Sequence, residues 1–549
     1  MPVQPDIAAL RSSLNDAVAR SDAPAVRDLL GPVAHALAIE DGVAFRDLVS
    51  GMPDALWHGD VRITAAMGSS YRSAGSPPGS SALAYFVTAE RLAAPDRAAH
   101  PTRWVSVLTA YGAALRSQGR LRDAQHKLDE AAQVLAEADH GPAFVVHSAR
   151  FELEYGVVDL LLGRLESARH RLEFAHGLAS QLTLSERLEC VGALALVAYS
   201  LGDLPATDRM LAEADALEAP DEVLGSGFAA PLYATRILIT TDRHELADLA
   251  ATASALVAAS VHTEWEPLAG VVAAYAQALQ GEPIAALDLL HHAHQRYLRW
   301  QAPGIGRDVG DLLRADILSA LDRGEEAFRI LADLDPHERH ALCPERFMAR
   351  LALQHGDLHG ADTALADCEL LGEGHSPRTM IDVQLLRAAI EMERGNLGLS
   401  DVSFDRALHA MAQTRVRSPF RHIPASLLDR LTRRGQLRKQ SPEVRRILGR
   451  VLEYTAGHDD GRDPLSERER LVLVYVERKL TVAQIAAELF ISPNTVKTHL
   501  RRLYRKLGVS TREEAIRRAR SLGLHLGTRA EITRQSPAHR GTTQGDTVV

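Results

Sequence analysis

Cysteine is scarce in this chain: Cys190, Cys343 and Cys368 are the only three among 549 residues, and they lie far apart in sequence. That spacing excludes a disulfide framework and makes a reducing compartment, the cytoplasm, the expected setting. Long apolar runs are missing as well. Even GVVAAYAQAL, from Gly270, is cut off by Gln280, Gly281 and Glu282, short of the roughly eighteen apolar residues that read as a membrane span. The opening residues, MPVQPDIAALRSSLND, hold no basic stretch followed by an apolar core, so neither a signal peptide nor a membrane partner is expected. Lysine numbers only five, and none of the five follows a glycine. A G-x-x-x-x-G-K-[ST] phosphate cradle is therefore absent from the sequence, and P-loop ATP binding is not expected. No nucleophile, base and acid stand in a catalytic pattern, so neither enzymatic activity nor a cofactor is expected. His291, His292 and His294 fall on one helix-length stretch, and His337, His340 and Cys343 recur at threes beside Pro344. Surface histidines account for both groups, and no metal is expected.

Charge is distributed unevenly. The net charge of −9 argues against nucleic acid as a partner of the whole chain. Between Leu465 and Leu526, however, thirteen Lys/Arg face six Asp/Glu, a net of +7, and residues 527–549 add +1, which leaves −17 for everything before Leu465. An acidic body joined to a small basic end fits a sensing or partner-binding region carrying a nucleic-acid-binding head.

The body repeats itself. YGAALRSQGRLRDAQHKLDEAA, from Tyr111, aligns without gaps on YGVVDLLLGRLESARHRLEFAH, from Tyr155. Gly112, Gly119, Ala124, Leu128 and Ala131 match Gly156, Gly163, Ala168, Leu172 and Ala175. Gly119 and Gly163 stand where one helix must stop and the chain turn, small Ala residues let paired helices approach, and Leu fills the groove between them. Fainter copies turn at Gly75, Gly202, Asp242, Gly281, Asp322, Gly356 and Gly395, with Ala286/Leu290/Ala293, Ala327/Leu331, Ala361/Leu365 and Phe404/Ala407 in register. Steps between turns run from 34 to 44 residues. This pattern resembles tetratricopeptide repeats and implies an all-α fold, a curved α-solenoid in which each helix pair buries its apolar face on its neighbours.

Five segments follow. Residues 1–61 form a helical lead-in, 62–414 the repeat array, 415–464 a helical extension and linker, 465–526 the head, and 527–549 a disordered tail. The extension is basic and broken by Pro419 and Pro424; Pro442 opens its last helix, and TAGHDDGRDP, from Thr455, reads as a flexible linker.

The head reads as four helices. Ser466 with Glu469 forms a capping box for the first, whose stripe is Leu471, Val472, Tyr475 and Val476. Thr481 caps the second, with Ile485, Ala486 and Leu489 inward. Ser492 and Pro493 open the third, serine at N-cap and proline at N1. Val496, Leu500, Leu503 and Leu507 share one buried stripe of it, while Lys497, Arg501 and Arg505 share another face with Thr498 beside them. A helix buried on one side and cationic on the other suits the major groove, where Lys and Arg reach guanine acceptors or phosphates. Gly508 ends it, and Thr511 caps the fourth, with Glu513 and Glu514 in its first turn.

LSERE, IAAELFIS, TVKTH and RKLGVSTREEA, at this helix spacing, closely resemble the LuxR/FixJ-type (GerE-like) helix-turn-helix across the whole small domain. Two positions depart: Lys479 stands where that family carries glycine, and Leu471 where it carries glutamate. Either Lys479 takes a less favourable backbone conformation, or the first helix ends differently. The resemblance implies a sequence-specific transcriptional regulator that binds double-stranded DNA as a homodimer, with RNA polymerase as a further partner. It places Lys497, Thr498 and Arg501 at base edges, gives Asn494, Thr495, His499 and Arg505 phosphate contacts or support of the helix, and puts Ala515, Ala519 and Leu522 at the dimer contact. Array and head together resemble the C-terminal part of the MalT-like regulators, whose N-terminal ATPase module is not expected here. The array would receive the signal, as a small molecule, a peptide or a partner protein. The rival expectation is an interaction scaffold whose head only dimerises, which leaves the cationic stripe without a purpose.

Overall fold

The structure is a computed structural model that describes residues 7–521, apart from 73–81, 138–141, 244, 246–247, 301–304, 322, 335–342, 355, 372–374, 459–464, 466, 490, 508 and 510. Every regular element among these residues is helical, and none of the helices is long and apolar enough to cross a membrane.

The body is a TPR-like solenoid of antiparallel helix pairs, and its first two repeats show why. Helix Pro101–Ser117 packs on Leu121–Glu137, and Pro142–Leu161 on Leu165–Gly177. Gly119 and Gly163 join the members of each pair at φ +74° and +81°, the left-handed conformation that a side chain disfavours. Gly202, Gly281, Gly356 and Gly395 share that sign. The aromatic-Gly pair has a separate purpose. A Cβ on Gly112 would sit 3.0 Å from Leu128 Cγ, and one on Gly156 2.7 Å from Leu172 Cγ, so each glycine is the hole that receives the leucine of the next helix. Ala124, Leu128, Ala131, Ala168, Leu172 and Ala175 are fully buried, and the later Ala/Leu sets and Phe404/Ala407 are buried likewise.

Asp242 does not mark a turn. It is the penultimate residue of helix Ala230–Arg243, which closes just after it through the Glu245 N–H to Thr240 carbonyl bond, and it is buried with its carboxylate held by partners far along the chain. Gly75 and Asp322 fall outside the described residues.

The lead-in is part of the solid body: Leu14, Val26, Leu30, Phe45, Val49 and Trp57 form one core with Ile63, Ala66 and Met67. The extension is packed too. Val416, Phe420, Leu428, Leu431, Val444 and Leu448 continue the core of the last repeats, and Arg434 and Arg438 pair with Asp401 of helix Leu397–Thr414, each at 2.7 Å. The last helix of the extension, Pro442–His458, runs past Thr455, where the linker was expected to begin.

The head has a core of its own, built on Val472, Val476, Ile485, Leu489, Val496, Leu503, Leu507 and Ala515. Its helices are Glu467–Glu477, Val482–Leu489, Pro493–Leu507 and Arg512–Ser521.

Candidate nucleic-acid interface

Local capping fixes the third helix of the head. The Thr495 backbone N–H donates to Ser492 Oγ at 3.1 Å, which satisfies one of the amides a helix start leaves over. Thr481 and Gln484 form a capping box for the second helix, through 2.8 and 3.3 Å bonds. Thr511 and Glu514 form one for the fourth, through 3.1 and 3.3 Å bonds. Ser466 lies outside the described residues; Glu469 is buried and accepts from Lys506 Nζ at 3.0 Å, a tie between first and third helices.

Val496 and Leu503 are fully buried and Leu507 nearly so, with Leu500 half-buried between them. That stripe sets the roll of the helix about its axis. Lys497, Thr498 and Arg501 are consequently exposed together, with Asn494 and Thr495 exposed one turn earlier. His499 is not among them. It is buried in the domain, where it cannot reach a phosphate. The side chain of Arg505 lies outside the described residues.

Ala515 also departs from expectation. It is fully buried in the head's own core and cannot serve as a dimer contact, since its small size is used inside the fold. Leu522 and the side chain of Ala519 lie outside the described residues. Arg512 is a residue that sequence reasoning passed over. It donates to the carbonyls of Val476 and Leu480, at 2.6 and 3.0 Å, and so clamps the fourth helix to the end of the first.

Lys479 has φ +61°. Its N–H donates to the Val476 carbonyl at 3.0 Å and that of Leu480 to the Tyr475 carbonyl at 3.1 Å. A six-to-one bond closing on a left-handed residue is the Schellman helix end that glycine usually makes.

A second candidate site lies inside the array. A cavity of about 180 Å³ has Leu196, Leu238, Trp265, Leu268, Val309 and Phe347 in its wall, and Tyr199, Asp242, Arg378, Asp382 and His422 among its polar groups. Segments remote in sequence meet here. The Asp242 carboxylate accepts from Tyr199 at 2.8 Å, from Arg378 at 3.2 Å and from Ser418 Oγ at 2.7 Å. Asp382 pairs with Arg346 and with His422, each at 2.7 Å. Burial alone would raise the Asp382 carboxyl, but the charges of His422, Arg346 and Arg350 more than offset it and hold the group well below the usual carboxylate range. Behind the cavity, Arg116 is fully buried and binds Glu154 at 2.9 Å, Glu189 at 2.8 Å and Glu264 at 2.5 Å.

Residues 463–519 match the family described as bacterial regulatory proteins, luxR family. Among solved structures, the chain is similar to the APC/C hetero-tetramer Cut9-Hcn1, at 12% identity and TM-score 0.36, over 93% of this chain and 96% of that one. It is similar to a Rap protein complexed with competence and sporulation factor, at 10% identity and TM-score 0.37, over 74% of this chain and 98% of that one. It is also similar to yeast Tom70, at 11% identity and TM-score 0.30, over 96% of each.

Proposed function

We propose that this chain, which carries a LuxR-family DNA-binding head and a TPR-like array, is a sequence-specific transcriptional regulator without ATPase activity, whose array receives the signal. One observation supports the DNA reading above the others: Lys497, Thr498 and Arg501 stand exposed on a helix whose opposite stripe is buried in the domain. In the major groove those three side chains read base edges, while Asn494, Thr495 and Arg505 hold phosphates and His499 supports the helix from inside. The protein works in the cytoplasm, binds as a homodimer and acts on RNA polymerase. Because Ala515 faces inward, the dimer contact falls to the other side of the fourth helix.

The signal site in this reading is the array cavity, and a small molecule is its occupant. A cavity of about 150 Å³ is enough to hold benzene, so 180 Å³ admits a compact, mostly apolar molecule with a polar group toward Tyr199 or His422.

Chromatin pulldown with the wild type and a Lys497→Ala/Arg501→Ala double variant yields the operator, and fluorescence anisotropy on that operator gives the magnitude. Each substitution is expected to cost about 1–3 kcal/mol, roughly a 5- to 150-fold loss of specific affinity, with the fold intact. Unchanged operator binding by both single variants overturns the assignment of these residues. Diffuse, equal recovery of DNA by wild type and double variant would favour a scaffold over a regulator.

A further inference from the structure

Two of the three cysteines, remote in sequence, meet in the core of the array. Cys343 lies immediately before helix Pro344–Gln354, and Cys368 lies on Leu358–Leu371. His375 precedes Ser376, the N-cap of Pro377–Arg394. All three are buried. The two sulfurs are 3.1 Å apart, and one donor atom from each of the three residues lies within 4.8 Å of the other two. Glu345 Oε2 is 3.3 Å from Cys343 Sγ but lies outside that three-atom cluster, so its side chain must turn to become a fourth donor.

Each feature alone has an ordinary reading. A buried cysteine packs as a small hydrophobe, and Cys343 and Cys368 share their core with Ala349, Ala361, Leu365 and Ile381. The conjunction is what matters. Three separate segments of an apolar core each deliver a metal-binding donor to one point.

We propose that Cys343, Cys368 and His375 bind a zinc-class divalent ion, with the Glu345 carboxylate in the fourth position. Two thiolates, an imidazole and a carboxylate form a donor set that zinc takes in tetrahedral geometry. With Zn–S near 2.3 Å, two sulfurs on one tetrahedron stand about 3.8 Å apart, so binding requires them to separate by about 0.7 Å from their 3.1 Å contact. On binding, each thiol gives its proton to solvent and its sulfur lone pair to the metal, with no change of oxidation state. The ion would join the starts of two helices and the last turn of a third. One of these, Pro377–Arg394, also carries Arg378 and Asp382 of the cavity.

The test uses the full chain, purified under reducing conditions without chelator. Elemental analysis is expected to give one zinc per chain for the wild type and none for Cys368→Ser or His375→Ala. Glu345→Gln should keep the stoichiometry and weaken the affinity, read by chelator competition. Replacement by Co²⁺ should produce thiolate-to-cobalt charge-transfer absorption, absent from the Cys368→Ser variant. The wild type keeps the proposal open to refutation even if a variant fails to fold. A metal-free wild-type chain that takes up neither Zn²⁺ nor Co²⁺ overturns it. So does a Cys343–Cys368 disulfide found by mass spectrometry in protein alkylated at cell lysis.

Discussion

Lys479 offers a test of whether the head's architecture is understood at the level of one backbone angle. It ends the first head helix at φ +61°, a conformation that costs an L-residue about 1–2 kcal/mol. Lys479→Gly removes that cost. Glycine gives back about 0.4–1 kcal/mol through the greater freedom of the unfolded chain. The net gain should be about 0.5–1 kcal/mol, which slows local opening about two- to fivefold. Hydrogen exchange of the full chain reads this directly, in the amides of Glu467–Glu477 and Val482–Leu489. Lys479→Ala is the decisive control. It removes the same exposed charge as Lys479→Gly but keeps a Cβ, so it should show no gain in protection. Equal protection in the Gly and Ala variants would mean that charge, not backbone strain, governs the site, and the reasoning would fail.

Three further perturbations probe the array. Gly156→Ala places a Cβ 2.7 Å from Leu172 Cγ and should cost about 1–3 kcal/mol by overpacking; Gly177→Ala, with nothing within 4 Å, should cost far less, and denaturant midpoints compare the two. Arg116→Ala leaves Glu154 and Glu189 paired with Arg72, takes away the ion pair to Glu264, and should destabilise by about 3–5 kcal/mol; a loss that Glu154→Gln/Glu189→Gln fails to relieve in part would point to lost packing instead of uncompensated charge. For Asp382 the native carboxyl lies below its ordinary value, so the unfolded chain binds the extra proton. Its stabilisation is complete above the ordinary carboxylate range and is lost as pH falls through and below about 4. Denaturation between about pH 6 and pH 3 should therefore show an acid loss in the wild type that is smaller in Asp382→Asn.

Features set by near neighbours were legible in the sequence. The turn glycines, the Ala/Leu register and the Thr481, Ser492 and Thr511 caps depend on residues a few positions away. Lys479 was legible only through the family resemblance, which places glycine at that helix end. The misses have a common cause. Asp242 falls at a turn-like interval, yet its partners Arg378 and Ser418 are 136 and 176 residues away, and spacing along the chain cannot reveal them. Resemblance to a family places Ala515 at a dimer contact but carries no information on how this head's core closes over it; His499 lies one position beside the buried stripe of its helix, and the core reaches it. The meeting of Cys343 with Cys368 was hidden because it depends on how consecutive repeats stack.

Those long contacts change what kind of solenoid this is. In a simple array each repeat touches only its neighbours, and an event in one repeat fades along the line. Here Ser418 and Arg421 of the extension bond to Asp242 and Tyr275, 176 and 146 residues earlier. His35 of the lead-in likewise meets Glu186, 151 residues later, at 2.8 Å. The Ser418–His422 segment thus stands at the cavity, with Ser418, Pro419 and His422 in its wall. The chain that follows forms Ala425–Gln436 and Pro442–His458, both packed on the last repeat, before it reaches the head. A molecule in the cavity therefore has a covalent and packed route toward the head, through a segment whose seat it shares. The route carries a signal only if the occupant binds one arrangement of that segment better than another, because equal contacts to both shift nothing. In that reading, discrimination between ligands would rest on Asp242 and Asp382, which bond to Ser418 and His422 of the segment, more than on the apolar wall.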